Sequence, residues 1–172
     1  ALDEAWRTLR PDDVIERIDL VKFFSPLHRK IHAEGYVKLV ERAPELWGMI
    51  FTKTDNAAVA RRLNRIQQLF PSRSRGRFAR FVKQFRPDVV LCTHYAPVEA
   101  LGEMRQTQKG KPPFVASIVT DFEAHALWMD AGVDLYCVAA EETKARLVAR
   151  GATAASVVAT GIPIAAKFAT KL

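Results

Sequence analysis

Residues 114–142 read FVASIVTDFEAHALWMDAGVDLYCVAAEE, and their pattern decides the fold. Two apolar runs, Phe114–Val119 and Leu135–Ala139, show no polar alternation. Each ends in polar residues, Thr120 and Asp121 after the first, Glu141 and Glu142 after the second. A strand with one face in water alternates, whereas a strand covered on both faces does not, so these runs predict a parallel sheet between helices. Working outward, Val89–Leu91 is a third run, closed by Thr93, His94 and Tyr95. Val157–Ala159 is a fourth, followed by Thr160, Gly161 and Pro163. Helices are expected over Val98–Met104 and Glu141–Arg150, the second stopped by Gly151. Strands that alternate with helices in this way predict an α/β fold, a doubly wound parallel sheet.

In such sheets ligands bind beyond the carboxyl ends of the strands. The residues placed there by this reading are Thr93, His94, Thr120, Asp121, Glu141, Glu142 and Thr160. Their recurrence at one edge marks a site without naming its chemistry.

Further upstream, Leu2, Trp6 and Leu9 predict a helix over Ala1–Leu9 with no capping residue before it. Val14, Ile15, Ile18 and Leu20 predict a short strand ending near Asp19. A long helical stretch is expected from Pro26 to about Lys53, broken near Pro44. Two more helices, Asn56–Phe70 and Arg75–Phe85, are separated by Pro71 and a turn at Ser72–Ser74.

A chain of 172 residues with 49% hydrophobic and 26% charged residues fits a single globular domain and excludes disorder, collagen-like repeats and a disulfide scaffold. Its longest uncharged run, Gly151–Ala166, falls short of the about 20 apolar residues that span a bilayer. No secretory leader is expected from the Ala1 end. Cys92 and Cys137 sit in separate apolar runs and read as buried, reduced thiols of a cytosolic protein. The net charge of +7 is concentrated: residues 56–87 hold nine basic and no acidic residues, so the rest of the chain nets −2.

Several chemistries lack their motif. There is no Walker A sequence, and none of the eight glycines forms G-x-G. His28 and His32 have zinc-compatible spacing but no accompanying HExxH, and read as solvated helix-face residues; no metal and no cofactor is expected. No serine lies in a nucleophile elbow.

Thr93-His94, the pattern TDF-x-x-H-x-x-W over Thr120, Asp121, Phe122, His125 and Trp128, then Ala140-Glu141-Glu142 and the TGIPI segment at 160–164 occur in a characteristic order. In this the chain resembles the monogalactosyldiacylglycerol synthase-like glycosyltransferases of glycosyltransferase family 28, a group that includes plant galactolipid synthases and bacterial processive diacylglycerol glucosyltransferases. Ile18-Asp19-Leu20, the helix around Tyr36, and Ala43-Pro44-Glu45-Leu46-Trp47-Gly48 extend the likeness over nearly the whole chain. The resemblance implies the Rossmann-like N-terminal half of a two-domain GT-B enzyme over residues 1–172. It also implies that a first strand with a glycine-rich loop precedes this stretch in family members, that a donor-binding domain follows it, and that this half is inactive alone.

The implied parent reaction transfers a hexose from a UDP-sugar to diacylglycerol with inversion. That needs a base for the acceptor hydroxyl, donors for the departing diphosphate and exclusion of water. Family members place the base mainly in the glycine-rich loop, so this half is expected to line the acceptor side. Asp121 either binds a hydroxyl or caps a following helix through the amides of Glu123 or Ala124. His125, four residues on, would stand one helical turn from Asp121 and pair with it, or lie on a surface helix start. His94 meets the acceptor or the phosphates, or is a core-edge residue. These three, Asp121, His125 and His94, are the catalytic candidates. Thr93, Thr120, Trp128, Glu141, Thr160, Gly161 and Pro163 are expected to line the cleft. Trp128 packs between helix and sheet or touches lipid, Glu141 offsets a helix dipole, and Gly161 needs a positive φ or a close approach.

Phe78, Phe81, Val82 and Phe85 form one apolar stripe among arginines. The phenylalanines are expected to pack on the sheet, leaving Arg73, Arg75, Arg77, Arg80 and Lys83 for an anionic membrane surface. Each such charge near the leaflet is worth about 1 kcal/mol, which predicts salt-sensitive peripheral docking on the cytoplasmic membrane face. The Pro26–Val40 helix is a weaker candidate for the same edge. A nucleic-acid partner for the basic segment is disfavoured, because no recognition motif or stacking platform accompanies it. A MurG-like transferase with another lipid acceptor is the alternative within the same architecture.

Overall fold

The computed structural model describes residues 1–26, 29–30, 41–55, 72–107 and 110–169. The expected helix over Asn56–Phe70, most of Pro26–Val40, His28, His32 and Tyr36 lie outside the described residues.

Four strands, β1 (Val89–Cys92), β2 (Phe114–Ile118), β3 (Leu135–Val138) and β4 (Val157–Ala159), form one parallel sheet in the order β1-β2-β3-β4. Their register pairs Cys92 with Ser117, Ile118 with Cys137, and Val138 with Ala159. Helices α1 (Leu2–Leu9), α2 (Pro44–Thr54), α3 (Ser72–Phe85), α4 (Ala96–Thr107), α5 (Glu141–Ala149) and the short α6 (Ala166–Ala169) accompany the sheet. Such an all-parallel sheet, with helical crossovers from β1 to β2 and from β3 to β4 and a loop with a 3-10 turn from β2 to β3, is the α/β Rossmann-like class expected from the apolar runs. Each connection advances one place in the same direction, so the carboxyl ends of the strands share one edge. Val115 through Ile118 of β2 are all buried, as an unalternating central strand requires.

Two buried clusters make the core. Phe24, Phe78, Val82, Cys92, Val98, Leu101, Met104 and Val115 form one. Val119, Ala124, Trp128, Tyr136, Val138, Leu147 and Val157 form the other, and Val133 packs against both. Of the expected stripe on α3, Phe78 and Val82 are buried and Phe81 is half-buried, with Phe78 and Phe81 against the Phe23 ring, whereas Phe85 at the end of the helix is 37% exposed. Burial pushes the Cys92 thiol up to about 12, which makes it chemically inert at neutral pH.

Local corrections have physical causes. Residues 14–19 pair with no strand among the described residues, and Asp19 instead caps a 3-10 turn over Leu20–Phe23. Ser72–Ser74 opens α3 rather than forming a turn. No α-helix follows Asp121; the chain bends and makes only a 3-10 turn over Ala126–Trp128.

Arg105 on α4 fastens the sheet. Its Nη1 donates to Asp134 Oδ1 at 3.0 Å, its Nη2 reaches Oδ2 and also the Pro113 carbonyl at 2.8 Å, and the Val115 amide donates to Asp134 Oδ2 at 2.7 Å. The Arg105 hydrogen bond outweighs burial, and with the Val115 amide holds the Asp134 carboxyl below its ordinary value of 3.8. A carboxyl depressed on folding adds stability above its unfolded pKa, and that stability is lost as pH falls through the folded pKa. The melting temperature should therefore fall steeply below the ordinary carboxylate value. Asp134→Asn should melt lower at neutral pH and lose less on acidification; parallel curves for the two proteins would refute the assignment.

Candidate functional site

The strand ends place most of the expected residues along one edge. After β1 come Thr93, His94 and Tyr95; after β2, Thr120 and Asp121; after β3, Glu141 at the start of α5; after β4, Thr160 and Gly161. The sheet order puts the β1 and β2 ends side by side, and there the structure builds a cluster.

Trp128 is its centre. The indole is 2% exposed, and its Nε1 donates to Asp121 Oδ2 at 2.8 Å. Tyr95 stands edge-on to the indole at 5.9 Å, and the His94 ring stacks on Tyr95 at 4.2 Å and lies 6.4 Å from Trp128. Asp121 itself is exposed, so one carboxylate oxygen is anchored from beneath by the indole while the group faces solvent. Such an arrangement can hold a hydroxyl at a fixed position. His94 Nδ1 accepts the Ala96 amide proton at 3.0 Å, so this ring both caps α4 and is held by it.

His125 goes elsewhere. It is 3% exposed; its Nδ1 accepts from the Leu127 amide at 3.1 Å and its Nε2 lies 3.9 Å from Asp55 Oδ1. The expected one-turn relation to Asp121 does not form because no helix runs between them. The cap at Glu123 or Ala124 is replaced by the Trp128 indole as the partner of Asp121.

Among the other expected lining residues, Trp128 takes the packed position between loop and sheet. Thr93 and Thr120 are exposed at their strand ends. Glu141 opens α5 and pairs with Lys144 at 3.9 Å, in keeping with the dipole reading. Thr160 Oγ1 donates to the Gly161 carbonyl at 3.2 Å, and both backbone amides donate to Val138. Gly161 has φ +81°, the left-handed turn for which glycine was expected, and Pro163 follows half-buried.

On α3 the basic residues divide. At about 100° per residue, Arg77, Arg80 and Lys83 fall on the arc opposite Phe78 and Val82, and all three are exposed. Arg75 falls beside Val82 instead; it is 8% exposed and pairs with Glu103 of α4 at 3.0 Å, so it is turned inward from the surface expected for it. The Arg73 side chain lies outside those described.

Sequence reading did not single out Tyr95, although its place beside His94 was a usable signal. It also missed Asp55 and Arg150, which meet across 95 positions with no local signature. Among the described residues, no helix is long and apolar enough to cross a membrane.

Comparison with known proteins places this edge in context. The family profile described as monogalactosyldiacylglycerol (MGDG) synthase matches residues 1–164. The chain is 33% identical over 171 residues to the processive diacylglycerol beta-glucosyltransferase of Bacillus cereus (strain 03BB102). It is 32% identical to the protein of that name from Bacillus thuringiensis (strain Al Hakam) and 28% to that of Bacillus cereus (strain B4264). Each match takes in 99% of this chain but only 42% of the relative, so the chain spans less than half the length of these proteins. No solved structure matches it. With a profile match over residues 1–164, the chain belongs to the monogalactosyldiacylglycerol synthase family.

Proposed function

We propose that the chain is the acceptor-side half of a diacylglycerol glycosyltransferase, which moves a hexose from a UDP-sugar to the lipid hydroxyl with inversion. The observation that carries this reading is the Asp121 carboxylate, solvent-facing at the edge of the sheet and fixed by the Trp128 indole at 2.8 Å. A carboxylate held in this way can accept the hydrogen bond of a glycerol hydroxyl and orient it. His94, held against α4 on the same edge, supplies a second polar group within the cluster. The names of the relatives, diacylglycerol glucosyltransferases, support the acceptor class. The base is expected mainly, and the donor and leaving-group contacts largely, in parts of the enzyme outside this half.

A bilayer acceptor calls for peripheral docking, and the exposed arc of Arg77, Arg80 and Lys83 suits an anionic leaflet. Three such charges are worth roughly 3 kcal/mol, or about two orders of magnitude in partitioning, and are sensitive to salt. The docking surface supports a place on the cytoplasmic membrane face.

One assay tests both parts. The complete protein is supplied with UDP-glucose or UDP-galactose and with vesicles holding diacylglycerol, with and without anionic lipid. Sugar transfer should be stimulated by the anionic lipid. Asp121→Asn should lower turnover by roughly 10- to 100-fold at saturating lipid. The triple change of Arg77, Arg80 and Lys83 to Ser should abolish the anionic stimulation while sparing transfer in detergent micelles. Full turnover by Asp121→Asn would remove the acceptor reading, and equal stimulation of the triple variant would remove the docking surface.

A further inference from the structure

One ion pair joins three stretches that are distant in sequence and holds the loop that leads to Trp128. Asp55 follows α2 directly, Arg150 follows α5, and residues 124–126 belong to the loop between β2 and β3. Asp55 Oδ1 accepts the Ala126 amide at 3.1 Å, and Oδ2 accepts Arg150 Nη2 at 2.7 Å. Arg150 Nη1 donates to the Ala124 carbonyl. The loop is thus gripped on both sides of His125 by two side chains that also hold each other.

The grip is needed because of where the loop lies. Ala124, His125 and Ala126 are all buried, yet they belong to neither an α-helix nor a strand that would satisfy their backbone groups. Buried amides and carbonyls in irregular chain need partners; the His125 and Ala126 carbonyls find theirs locally in the Trp128 and Met129 amides, while the Ala126 amide and the Ala124 carbonyl are met from far away by Asp55 and Arg150. The 3-10 turn over Ala126–Trp128 starts from this anchored point and delivers the indole to Asp121. Burial raises the Asp55 carboxyl, but the bonds from Arg150 and the Ala126 amide, with the charge of Arg150, bring it below its ordinary value, so it is ionised at neutral pH.

We propose that Asp55, through its pair with Arg150, is a positioning residue for Asp121 and Trp128: it sets the loop from which the acceptor-side cluster is built without touching substrate. This rests on the acceptor-side reading given above.

The test uses the complete protein with UDP-glucose and dioleoylglycerol vesicles, together with the NMR signal of the Trp128 indole N–H, assigned by its loss in Trp128→Phe. Asp55→Asn keeps an oxygen for the Ala126 amide but removes the charge that holds Arg150. Arg150→Lys keeps the charge but cannot reach Asp55 and Ala124 together, and serves if the first variant folds poorly. The expected result is a displaced Trp128 signal, with kcat/KM for the diacylglycerol lowered roughly 10- to 100-fold and KM for UDP-glucose unchanged. The double variant should be no worse than either single one, because the two residues act as one unit. An unmoved Trp128 signal, or fully additive losses, would overturn the proposal. If the wild-type protein transfers no sugar, the acceptor-side reading falls, and the displaced or unmoved indole signal alone decides whether Asp55 positions the cluster.

Discussion

Trp128→Ala should lower the stability of the domain by about 3–5 kcal/mol, the range for emptying a buried aromatic site. The indole is 2% exposed and packs with Val119, Ala124, Tyr136, Val138, Leu147 and Val157. Its removal leaves a cavity where the loop from β2 crosses the sheet. Tyr136, Val138 and Val157 belong to strands and Leu147 to α5, so the hole cannot collapse fully without moving the sheet. Two further losses accompany the cavity. Tyr95 gives up its edge-on contact at 5.9 Å, and Asp121 gives up the donor at 2.8 Å.

Trp128→Phe separates these effects. It keeps an aromatic ring against Tyr95 but deletes the N–H, so its stability cost beyond the lost volume should be about 1 kcal/mol, that of one hydrogen bond. Activity should suffer more than stability, because Asp121 is then free to turn. Urea unfolding of both variants beside the wild type measures the first quantity, and the vesicle assay measures the second. A stability loss below about 1 kcal/mol for Trp128→Ala would show that the indole is not a core residue.

The parts of this architecture that were legible from sequence are those where local pattern and burial agree. Val157–Ala159 forms a strand over the residues expected, and the runs at 89, 114 and 135 differ from the observed strands by one residue at their ends. Unalternating apolar runs permit little else. Helix α4 begins two residues before its expected start, where the His94 side chain accepts the Ala96 amide in a bond that periodicity does not report, and ends three after its expected end. The expected strand at Val14–Asp19 has apolar residues, but Val14 is 84% exposed and no strand lies beside it among the described residues; a strand exists only through its partner. His125 shows the same limit at the site. Its spacing from Asp121 suits a helix, yet the loop is fixed by Asp55 and Arg150, which lie 71 and 26 positions from the atoms they hold. The inward Arg75 was foreshadowed by its place beside Val82 on the helix, although a count of charges hides it.

Gly132→Ala should cost about 1–3 kcal/mol, as overpacking does in a close-packed interior. In a chain of this size that is about 3–10 °C in Tm. A Cβ at Gly132 would lie 2.7 Å from the Gly102 Cα and 3.1 Å from its backbone nitrogen, on α4. Backbone cannot swing aside like the end of a side chain, so the loop or the helix has to move. The loop is poorly placed to do so: Asp130 Oδ1 accepts the Gly132 amide at 2.7 Å, and the Tyr136 hydroxyl bridges both the amide and the carbonyl of Asp130 at 3.0 Å. Val133, next in the chain, packs against both core clusters, so any shift is felt on either side. Gly102→Ala meets the Asp130 Oδ1 at 2.7 Å, a side-chain atom. It should cost less than Gly132→Ala, because Asp130 can rotate at the expense of the Gly132 amide bond. Gly76 in the exposed part of α3 has nothing within 4 Å of its added Cβ, so Gly76→Ala should raise stability by about 0.5–1 kcal/mol through helix propensity alone. Thermal melts of the three alanine variants should therefore fall in the order Gly76, Gly102, Gly132 from most to least stable. A Gly132→Ala protein as stable as the wild type would mean that α4 and the 130–132 loop do not meet at the distance described.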